Sequence, residues 1–334
     1  MDGVEGLTSL ASQHVQRGLC CLPSGSTLIS DADEEVFLLY TNLAAHPANE
    51  ASSDNFRGLG YLDSTKDVVA LTFELKGNLS PAASESVSSK SRKRIKKRQL
   101  APQDRTVEIQ LMQDKTALRS RKGDTGSVVW RASIELAQNI LQHFHKANPD
   151  ALLNRARLQD SHVLELGAGT GLLGIALSPL VRHYTVTDIE DLMPLIRKNL
   201  SLNLPDWNSL SSPLASGPNA KGTITAEPLD WLALHNCNSS IRKKLFSYDP
   251  IDLLLVVDCI YHPSLLPALV QTIDHLSTPQ RTAVLVVVEL RAEDVVREFL
   301  ELWLAASGGG VWEVFHVNGM LEEPYVVWVG WKKS

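Results

Sequence analysis

Three glycines fall within five residues directly after a short apolar run. The run spans residues 162–166 (HVLEL), and Gly167, Gly169 and Gly171 follow it. Glycine lets a ligand approach the backbone closely, and ligands of doubly wound sheets bind in the crevice beyond the carboxyl ends of the strands. The spacing therefore predicts a cofactor-binding turn at the end of the first strand of such a sheet.

Two acidic residues near this turn bear on which ligand it binds. Gly169, Gly171 and Gly174 also satisfy the G-x-G-x-x-G spacing of dinucleotide-binding proteins, so a nicotinamide cofactor is the competing prediction. Glu165 is expected to point its carboxylate at the crevice, where it would repel a pyrophosphate and suit a ligand with an ammonium group and a sulfonium. Asp188 is expected to accept hydrogen bonds from the ribose hydroxyls of either cofactor. Glu165 therefore favours the sulfonium ligand.

Short apolar runs alternate with helix-like segments after an amphipathic helix predicted over residues 131–144. Near-continuous apolar strands of this kind predict a mostly parallel sheet covered on both faces. A turn with Asn318 and Gly319 joins the last two runs, which predicts a terminal antiparallel hairpin. The predicted strands are residues 162–166, 184–187, 223–226, 251–257, 283–288, 311–317 and 325–331. We therefore expect an α/β, Rossmann-like fold with a seven-stranded sheet.

The chain divides into three regions by pattern. Residues 1–55 form an N-terminal segment of uncertain structure, and residues 56–122 form a small β-rich region. The main α/β domain is expected to span residues 123–334. Within it, the Pro-, Ser- and Gly-rich residues 205–222 predict a surface insertion.

The first two regions carry a few local signals. Residues 34–43 predict a short helix, and residues 67–75 and 106–112 are rich in β-branched and apolar residues, which predicts two strands. Between these strands lies a Ser-rich and then basic insertion at residues 77–98. A solvated linker is favoured for the basic run at 90–98 over a localisation or RNA-contact signal.

Composition excludes several classes of protein. The 334 residues are 44% hydrophobic and 21% charged, which is typical of a globular protein. We expect no membrane association and a location in the cytoplasm or nucleus, because no apolar stretch approaches the roughly 18–20 residues of a spanning helix and the acidic start lacks the basic region of a secretory signal. The four cysteines form no CxxC pair, so free thiols and no metal site are expected. The net charge of -6 favours a basic protein partner over direct nucleic-acid binding.

Four segments then occur in a recognisable order. They are TGSVVW at 125–130, ELGAGTG at 165–171, LDW at 229–231 and VDCIY at 257–261. In this order they resemble methyltransferase family sixteen, a group of class I methyltransferases that includes many protein lysine methyltransferases. The resemblance implies a class I fold, in which a parallel sheet ends in an antiparallel hairpin, and S-adenosylmethionine as the cofactor.

The same resemblance implies roles for individual residues of the cofactor site. For a tryptophan taken alone, core packing would be the favoured interpretation, and only the order of the segments overturns it. The implied contacts are Trp130 with the methionine end, Gly167, Ala168 and Gly169 with the cofactor backbone, Asp188 with the ribose, and Trp231 and Val257 with the adenine.

Asp258 and Tyr261 fit the Asp-x-x-Tyr pattern that family sixteen carries beside the methyl acceptor. A lysine amine, with a pKa of about 10.4 in water, must lose its proton before it can attack. We hypothesise that Asp258 orients the amine and Tyr261 shapes its channel, with proton loss to water. Cys259 lacks a His/Asp partner pattern, so a packed thiol is favoured over a nucleophile. For His262 a surface or capping role is favoured over that of a base.

The N-terminal region bears on the substrate. The acidic-aromatic segment 33–40 (DEEVFLLY), followed by a β-rich segment, resembles fungal ribosomal lysine methyltransferases of type five, which implies a large-subunit ribosomal protein as the substrate. Elongation factors, chaperones and a small-molecule acceptor stay open as alternatives, as does a catalytically inactive binding module. A base-modifying nucleic-acid methyltransferase is disfavoured, because the fourth strand ends in VDCIY rather than in an Asn/Asp-Pro-Pro-aromatic motif.

Overall fold

The computed structural model describes residues 15–45, 60–77, 103–114, 125–204 and 222–334. The basic run at residues 90–98 lies outside the described residues. So does the predicted insertion at 205–222, apart from Gly222.

The described residues form an eight-stranded sheet with the order β8-β7-β6-β9-β10-β12-β11-β3. The five strands from β8 to β10 are parallel, and β12, β11 and β3 continue the sheet in antiparallel pairing. The bounds are β3 Thr27–Leu28, β6 His162–Leu166, β7 His183–Asp188, β8 Thr223–Pro228, β9 Leu253–Val257, β10 Ala283–Glu289, β11 Trp312–His316 and β12 Tyr325–Lys332. The predicted α/β fold with its terminal hairpin is confirmed.

The eighth strand is a difference from the seven strands predicted. Leu28 pairs with Phe315, and Thr27 pairs with His316, at the outer edge of β11. A two-residue strand carries no period-2 pattern, so the sequence gives no sign of it. Its pairing covers part of the backbone that β11 would otherwise expose.

Helices cover both faces of this sheet. Alternate residues of β9 show the arrangement, because Leu253 and Leu255 belong to one buried cluster and Leu254 and Val256 to the other. The helices are α1 Ala32–Ala45, α2 Arg131–Lys146, α3 Arg155–Leu158, α4 Leu172–Leu177, α5 Met193–Asn203, α6 Trp231–Asn236, α7 Ser239–Leu245, α8 Leu266–Leu276 and α9 Glu293–Ala305, with 3-10 turns at Ser178–Leu180, Glu190–Leu192, Pro263–Leu265 and Ala306–Gly308. Among the described helices, none combines the length and apolarity of a membrane span.

The N-terminal region adds small elements around the sheet. Strands β1 (Val15–Arg17) and β2 (Cys20–Leu22) form a hairpin, and the predicted helix at 34–43 lies within α1, which packs against α9. Buried Glu35 of α1 accepts a hydrogen bond of 2.9 Å from the indole N–H of Trp328 in β12. This bond ties α1 to the sheet.

A second hairpin packs on the main domain. Strands β4 (Val68–Leu75) and β5 (Arg105–Met112) pair in antiparallel fashion along eight residues each. The side chains of β4 alternate between exposed and buried, and Phe73 and its buried neighbours join the same apolar cluster as one face of the parallel sheet.

Two asparagines one turn apart on α5 hold β5 in place. The Asn199 amide accepts from the backbone N–H of Met112 at 2.8 Å and donates to the carbonyls of Met112 and Thr170 at 3.1 and 3.0 Å. Asn203 makes the matching pair of bonds to Gln110, at 3.0 and 2.8 Å. Asn199 is fully buried, whereas Asn203 is partly exposed.

We expect Asn199→Ala to lower the free energy of unfolding by about 2–3 kcal/mol, because it leaves the Met112 and Thr170 backbone groups without these partners away from water. Asn203→Ala is the matched control, and its cost should stay near 1 kcal/mol since water can replace the lost bonds. Urea unfolding followed by circular dichroism measures both. Equal losses for the two variants would contradict this account.

Candidate active site

The turn after β6 requires glycine at two positions. Gly167 and Gly169 have φ angles of 63° and 58°, which residues other than glycine rarely adopt. A Cβ at Gly167 would lie 2.7 Å from the Cys259 sulfur, and a Cβ at Gly169 would lie 2.9 Å from the carbonyl oxygen of Gly126. The turn is therefore packed so tightly that its backbone itself forms the wall of the adjacent cavity.

This cavity, of about 300 Å³, opens at the carboxyl ends of β6, β7 and β9. Its walls come from the turn, from the 125–130 segment and from the segments that follow the strands. Nine of the residues predicted from the sequence line it: Trp130, Gly167, Ala168, Gly169, Asp188, Trp231, Val257, Asp258 and Tyr261. The fold thus brings together residues that lie far apart in the chain.

Asp188 ends β7 and reaches across to the glycine turn. Its two carboxylate oxygens accept hydrogen bonds from the backbone N–H groups of Gly169, at 2.8 Å, and Ile189, at 2.7 Å. The residue is 9% exposed and lines the cavity. A carboxylate held in this way presents a fixed acceptor at the cavity wall, as the predicted ribose contact would require.

Glu165 lies elsewhere than expected. Its carboxylate accepts a 2.9 Å hydrogen bond from the hydroxyl of Tyr184, is 2% exposed and does not line the cavity. The expectation that it points at the crevice is wrong, because Glu165 lies within β6, where side chains point to the two covered faces of the sheet rather than past the end of the strand. The electrostatic reason for preferring a sulfonium ligand over a pyrophosphate is lost with it.

Trp130 immediately precedes α2 and is held from three sides. Its indole N–H donates to the carbonyl of Thr125 at 3.0 Å, and its ring meets that of Tyr61 edge-on, with centroids 6.0 Å apart. The guanidinium of Arg291 lies 5.1 Å from the ring centroid. The side chain therefore stands in a defined position at the cavity wall.

Trp231 begins α6 on the other side of the glycine turn. Asp230 caps this helix by accepting from the N–H groups of Leu232 and Ala233, at 2.8 and 3.2 Å. The ring of Trp231 would lie 3.1 Å from a Cβ at Gly167. The Leu-Asp-Trp segment thus combines a helix cap with an aromatic wall.

Cys259 is a packed thiol. Its sulfur lies 3.3 Å from the carbonyl oxygen of Leu166, and burial, reinforced by the charges of nearby carboxylates, holds the pKa of the thiol well above its usual range. A thiol that keeps its proton is a poor nucleophile, which confirms the favoured prediction. His262 is exposed and hydrogen-bonds Ser264 at 2.9 Å, outside the cavity lining.

Asp258 lines the cavity, but its carboxylate is already engaged. Arg291 donates two hydrogen bonds to it, of 2.9 and 2.7 Å, and a third of 2.7 Å to Glu289. Arg291 was not among the residues predicted for the site. The only signal was a polar cluster directly after a predicted strand, and nothing in the sequence links that cluster to Asp258.

A single cavity thus brings together the glycine turn, Asp188 and the Asp-x-x-Tyr segment. The chain can now be compared with known proteins. A family model described as lysine methyltransferase matches residues 111–304, more than half of the chain. The chain belongs to this lysine methyltransferase family. The resemblance on which the sequence interpretation depended is confirmed.

Several curated proteins are similar to this family member. A diaminohydroxyphosphoribosylamino-pyrimidine deaminase of Schizosaccharomyces pombe is 30% identical over 58% of the chain and 41% of its own length. The protein N-lysine methyltransferase METTL21A of Danio rerio is 28% identical over 53% and 66%, and the protein-lysine N-methyltransferase EFM2 of Saccharomyces cerevisiae is 30% identical over 58% and 44%. The chain thus spans between two fifths and two thirds of the length of these relatives.

S-Adenosylmethionine is the cofactor expected of a member of the lysine methyltransferase family, and the cavity suits it. Its volume falls at the lower end of the roughly 300–1,000 Å³ of small-molecule sites. The glycine cradle leaves room where a Cβ at Gly167 would intrude, and the Asp188 carboxylate supplies a fixed hydrogen-bond acceptor beside it. The choice of S-adenosylmethionine therefore depends on family membership and no longer on Glu165.

Gly167→Ala should weaken binding of S-adenosylhomocysteine tenfold or more, a change of about 1.4 kcal/mol, because the new methyl displaces Cys259 or Trp231. Gly310→Ala is the matched control, since Gly310 has a similar φ of 68° but open space around it. Both variants should lose roughly 1–2 kcal/mol of stability to backbone strain. Titration calorimetry measures the affinity. Unchanged affinity in the Gly167 variant would show that the turn does not form the binding wall.

Glu165 makes stability depend on pH. Burial raises its pKa to about 8, against the hydrogen bonds from Tyr184 and the Gly174 backbone, which lower it. The folded protein therefore retains a proton that the unfolded chain releases above its ordinary pKa of 4.5. The neutral Glu165 carboxyl contributes stability that is fully present below pH 4.5 and is lost as the pH rises through 8.

We expect the free energy of unfolding of Glu165→Gln, relative to the unsubstituted protein, to rise by about 1 kcal/mol per pH unit between pH 5 and 8 and to level off above. The amide has no charge to bury. Chemical unfolding at pH 5, 6.5, 8 and 9 measures the difference, with the exposed Glu190→Gln as control. A difference that stays constant over this range would refute the assignment.

Proposed function

We propose that this protein is an S-adenosylmethionine-dependent protein-lysine N-methyltransferase that acts on a large-subunit ribosomal protein. One observation carries the proposal: a single cavity joins the glycine turn and Asp188 to Asp258 and Tyr261, in a member of the lysine methyltransferase family. The substrate half of the proposal depends in addition on the N-terminal segment.

The cofactor, when bound, supplies a methyl group on a sulfonium that an amine can displace in line. The protein's part is to hold the donor, align the acceptor and exclude water. We assign the methionine end to Trp130, the cofactor backbone to Gly167, Ala168 and Gly169, the ribose to Asp188, and the adenine to Trp231 and Val257. The ordered Trp130 and Asp188 side chains support this assignment, because both are positioned by hydrogen bonds to backbone groups.

Asp258 and Tyr261 form the acceptor side of the proposed site. Tyr261 is 37% exposed while also lining the cavity, so it stands where the cavity meets solvent. A lysine side chain is long enough to enter past such a mouth while its backbone stays outside. Asp258 orients the amine, Tyr261 shapes its channel, and loss of the proton to water completes the requirements of the transfer.

The proposed substrate class follows from the relatives and the N-terminal region. Two of the similar proteins are named as protein-lysine methyltransferases, which supports a protein lysine as the acceptor. The segment 33–40 resembles ribosomal lysine methyltransferases, and it forms most of α1. An elongation factor or chaperone is the alternative substrate, and the cytoplasm or nucleus the proposed location.

We also propose that residues 123–334 form the catalytic domain, to which 1–55 and 56–122 are an N-terminal extension. The pairing of Thr27 and Leu28 with β11, and of Tyr61 with Trp130, supports an extension that is built onto the domain rather than linked loosely to it.

Radiolabelled S-adenosylmethionine and separated ribosomal and soluble extracts from cells lacking the enzyme test the proposal. We expect one labelled band in the ribosomal fraction, and its loss with Asp188→Ala, because that change removes both acceptor oxygens at the cofactor wall. Asp160→Ala, an exposed residue before the amino end of β6, is the control and should keep full activity.

Other outcomes separate the alternatives. A labelled band confined to the soluble fraction would keep the chemistry and move the substrate to an elongation factor or chaperone. Cofactor binding without any labelled protein would contradict the protein substrate and favour a small-molecule acceptor or a binding module. Protection against heat by a nicotinamide nucleotide, but not by S-adenosylhomocysteine, would overturn the choice of cofactor.

A further inference from the structure

Arg291 connects the two sides of the cavity without lining it. The residue follows β10, and its guanidinium makes the paired hydrogen bonds to Asp258 and covers one face of Trp130. The first contact lies on the proposed acceptor side and the second on the proposed cofactor side. One cation therefore holds a residue from each half of the site.

The cluster around Arg291 carries two acidic groups and one basic group. The Asp258 and Glu289 side chains are 2% and 6% exposed, and that of Arg291 is 28% exposed. Buried carboxylates are costly unless a cation and hydrogen bonds satisfy them. Asp258 also has a left-handed backbone, with a φ of 56°. The ion pair with Arg291 therefore stabilises a residue that is both buried and strained.

Gly60, in the N-terminal extension, packs directly against the guanidinium of Arg291 and limits where it can lie. A Cβ on Gly60 would lie 2.1 Å from a terminal nitrogen of Arg291 and 2.6 Å from a Glu289 oxygen. Gly60 is itself held, because its carbonyl accepts the backbone N–H of Arg131 at 3.0 Å. The next residues pair with the segment before α2, where Leu62 donates to the carbonyl of Val129 at 2.9 Å.

Other titratable groups surround this cluster. From α1 and α9, Tyr40, Glu293 and Asp294 interact electrostatically with one another or with Arg291, and burial raises the pKa of Tyr40 to about 12, so its phenol stays neutral near neutral pH. Glu289 faces Arg291, and Asp188 and Glu165 lie with Asp258 near the Cys259 thiol. Tyr261 and His262 follow Asp258 in the chain. Arg291→Gln and the double variant used below share the loss of Arg291 and differ only at position 258, so their comparison isolates the Asp258 carboxylate.

We propose that Arg291 is a positioning residue, locked by Gly60, that keeps the Asp258 carboxylate from holding the acceptor amine in its charged form while bracing Trp130 beside the cofactor. The proposal rests on the proposed function, which places the acceptor beside Asp258. A bare carboxylate beside an ammonium group favours the protonated state, and a neighbouring cation offsets this effect. Arg291 thus makes the neutral, nucleophilic amine easier to form while Asp258 still orients it.

The test uses the full chain, radiolabelled S-adenosylmethionine at saturation, and the extract fraction that contains the labelled band. The pH dependence of kcat between pH 6.5 and 9.5 is compared for the unsubstituted protein, Arg291→Gln, and the double variant Asp258→Asn with Arg291→Gln. Asparagine tolerates the left-handed backbone of position 258. Titration calorimetry with S-adenosylhomocysteine measures the cofactor side separately.

In Arg291→Gln we expect the acidic limb of the kcat profile to move up by about one pH unit, so that kcat near pH 7 falls by about tenfold. The double variant should return the midpoint towards that of the unsubstituted protein, because position 258, beside the acceptor, no longer carries a carboxylate. The Kd of S-adenosylhomocysteine should rise about two- to fivefold in both variants, through the lost contact with Trp130.

Two further variants separate positioning from folding. Gly60→Ala should reproduce the shifted midpoint without altering any charge, because it displaces Arg291 from Asp258. Arg297→Gln is the matched control, since Arg297 on α9 is 34% exposed and pairs with Asp33 and Glu293 rather than with the cluster. It should leave the midpoint and the Kd unchanged.

An unchanged midpoint in Arg291→Gln, with activity lost and no recovery in the double variant, would overturn the inference in favour of a purely structural ion pair. Absence of labelling by the unsubstituted protein would instead overturn the proposed function, and with it the acceptor half of the inference. In that case the calorimetric Kd still decides the Trp130 half, and an unaltered Kd would overturn it.

Discussion

The close approach of two backbones is the constraint on which the rest of the site depends. Gly169 and Gly126 lie so near each other that a Cβ on Gly169 would come within 2.9 Å of the Gly126 carbonyl. Asp188 reaches the same point through the N–H of Gly169. Because three segments converge on atoms of the main chain, this part of the cavity wall is formed by backbone rather than by side chains that could rotate away. The wall is therefore preorganised before any ligand arrives.

Buried polar groups beneath this wall hold it in register. Glu165 and Tyr184 pair under the turn, and Asn199 joins the Thr170 carbonyl of the turn to the β5 strand of the N-terminal hairpin. A buried polar group is costly unless its partners are in place, so each contact specifies one arrangement of the layers it joins. The proposed N-terminal extension is thereby connected to the proposed cofactor side through α5 and to the proposed acceptor side through Gly60.

The charged cluster around Arg291 alters how the Asp-x-x-Tyr segment is understood. In sequence, Asp258 is a carboxylate at the end of a strand. In the folded chain it belongs to an ion pair that includes a second carboxylate and touches Trp130. The charge that a ligand meets at Asp258 therefore depends on the whole cluster, and residues more than thirty positions away in the chain contribute to it.

The sequence by itself determined the elements and the location of the site. Apolar runs and glycine spacing predicted the seven main strands and the turn, because strand periodicity and positive φ angles are local properties. Only the tertiary structure decided the direction of Glu165, the partner of Asp258 and the edge strand at Thr27. These depend on which layers pack together, and contacts between residues distant in the chain leave no periodic signal in the sequence.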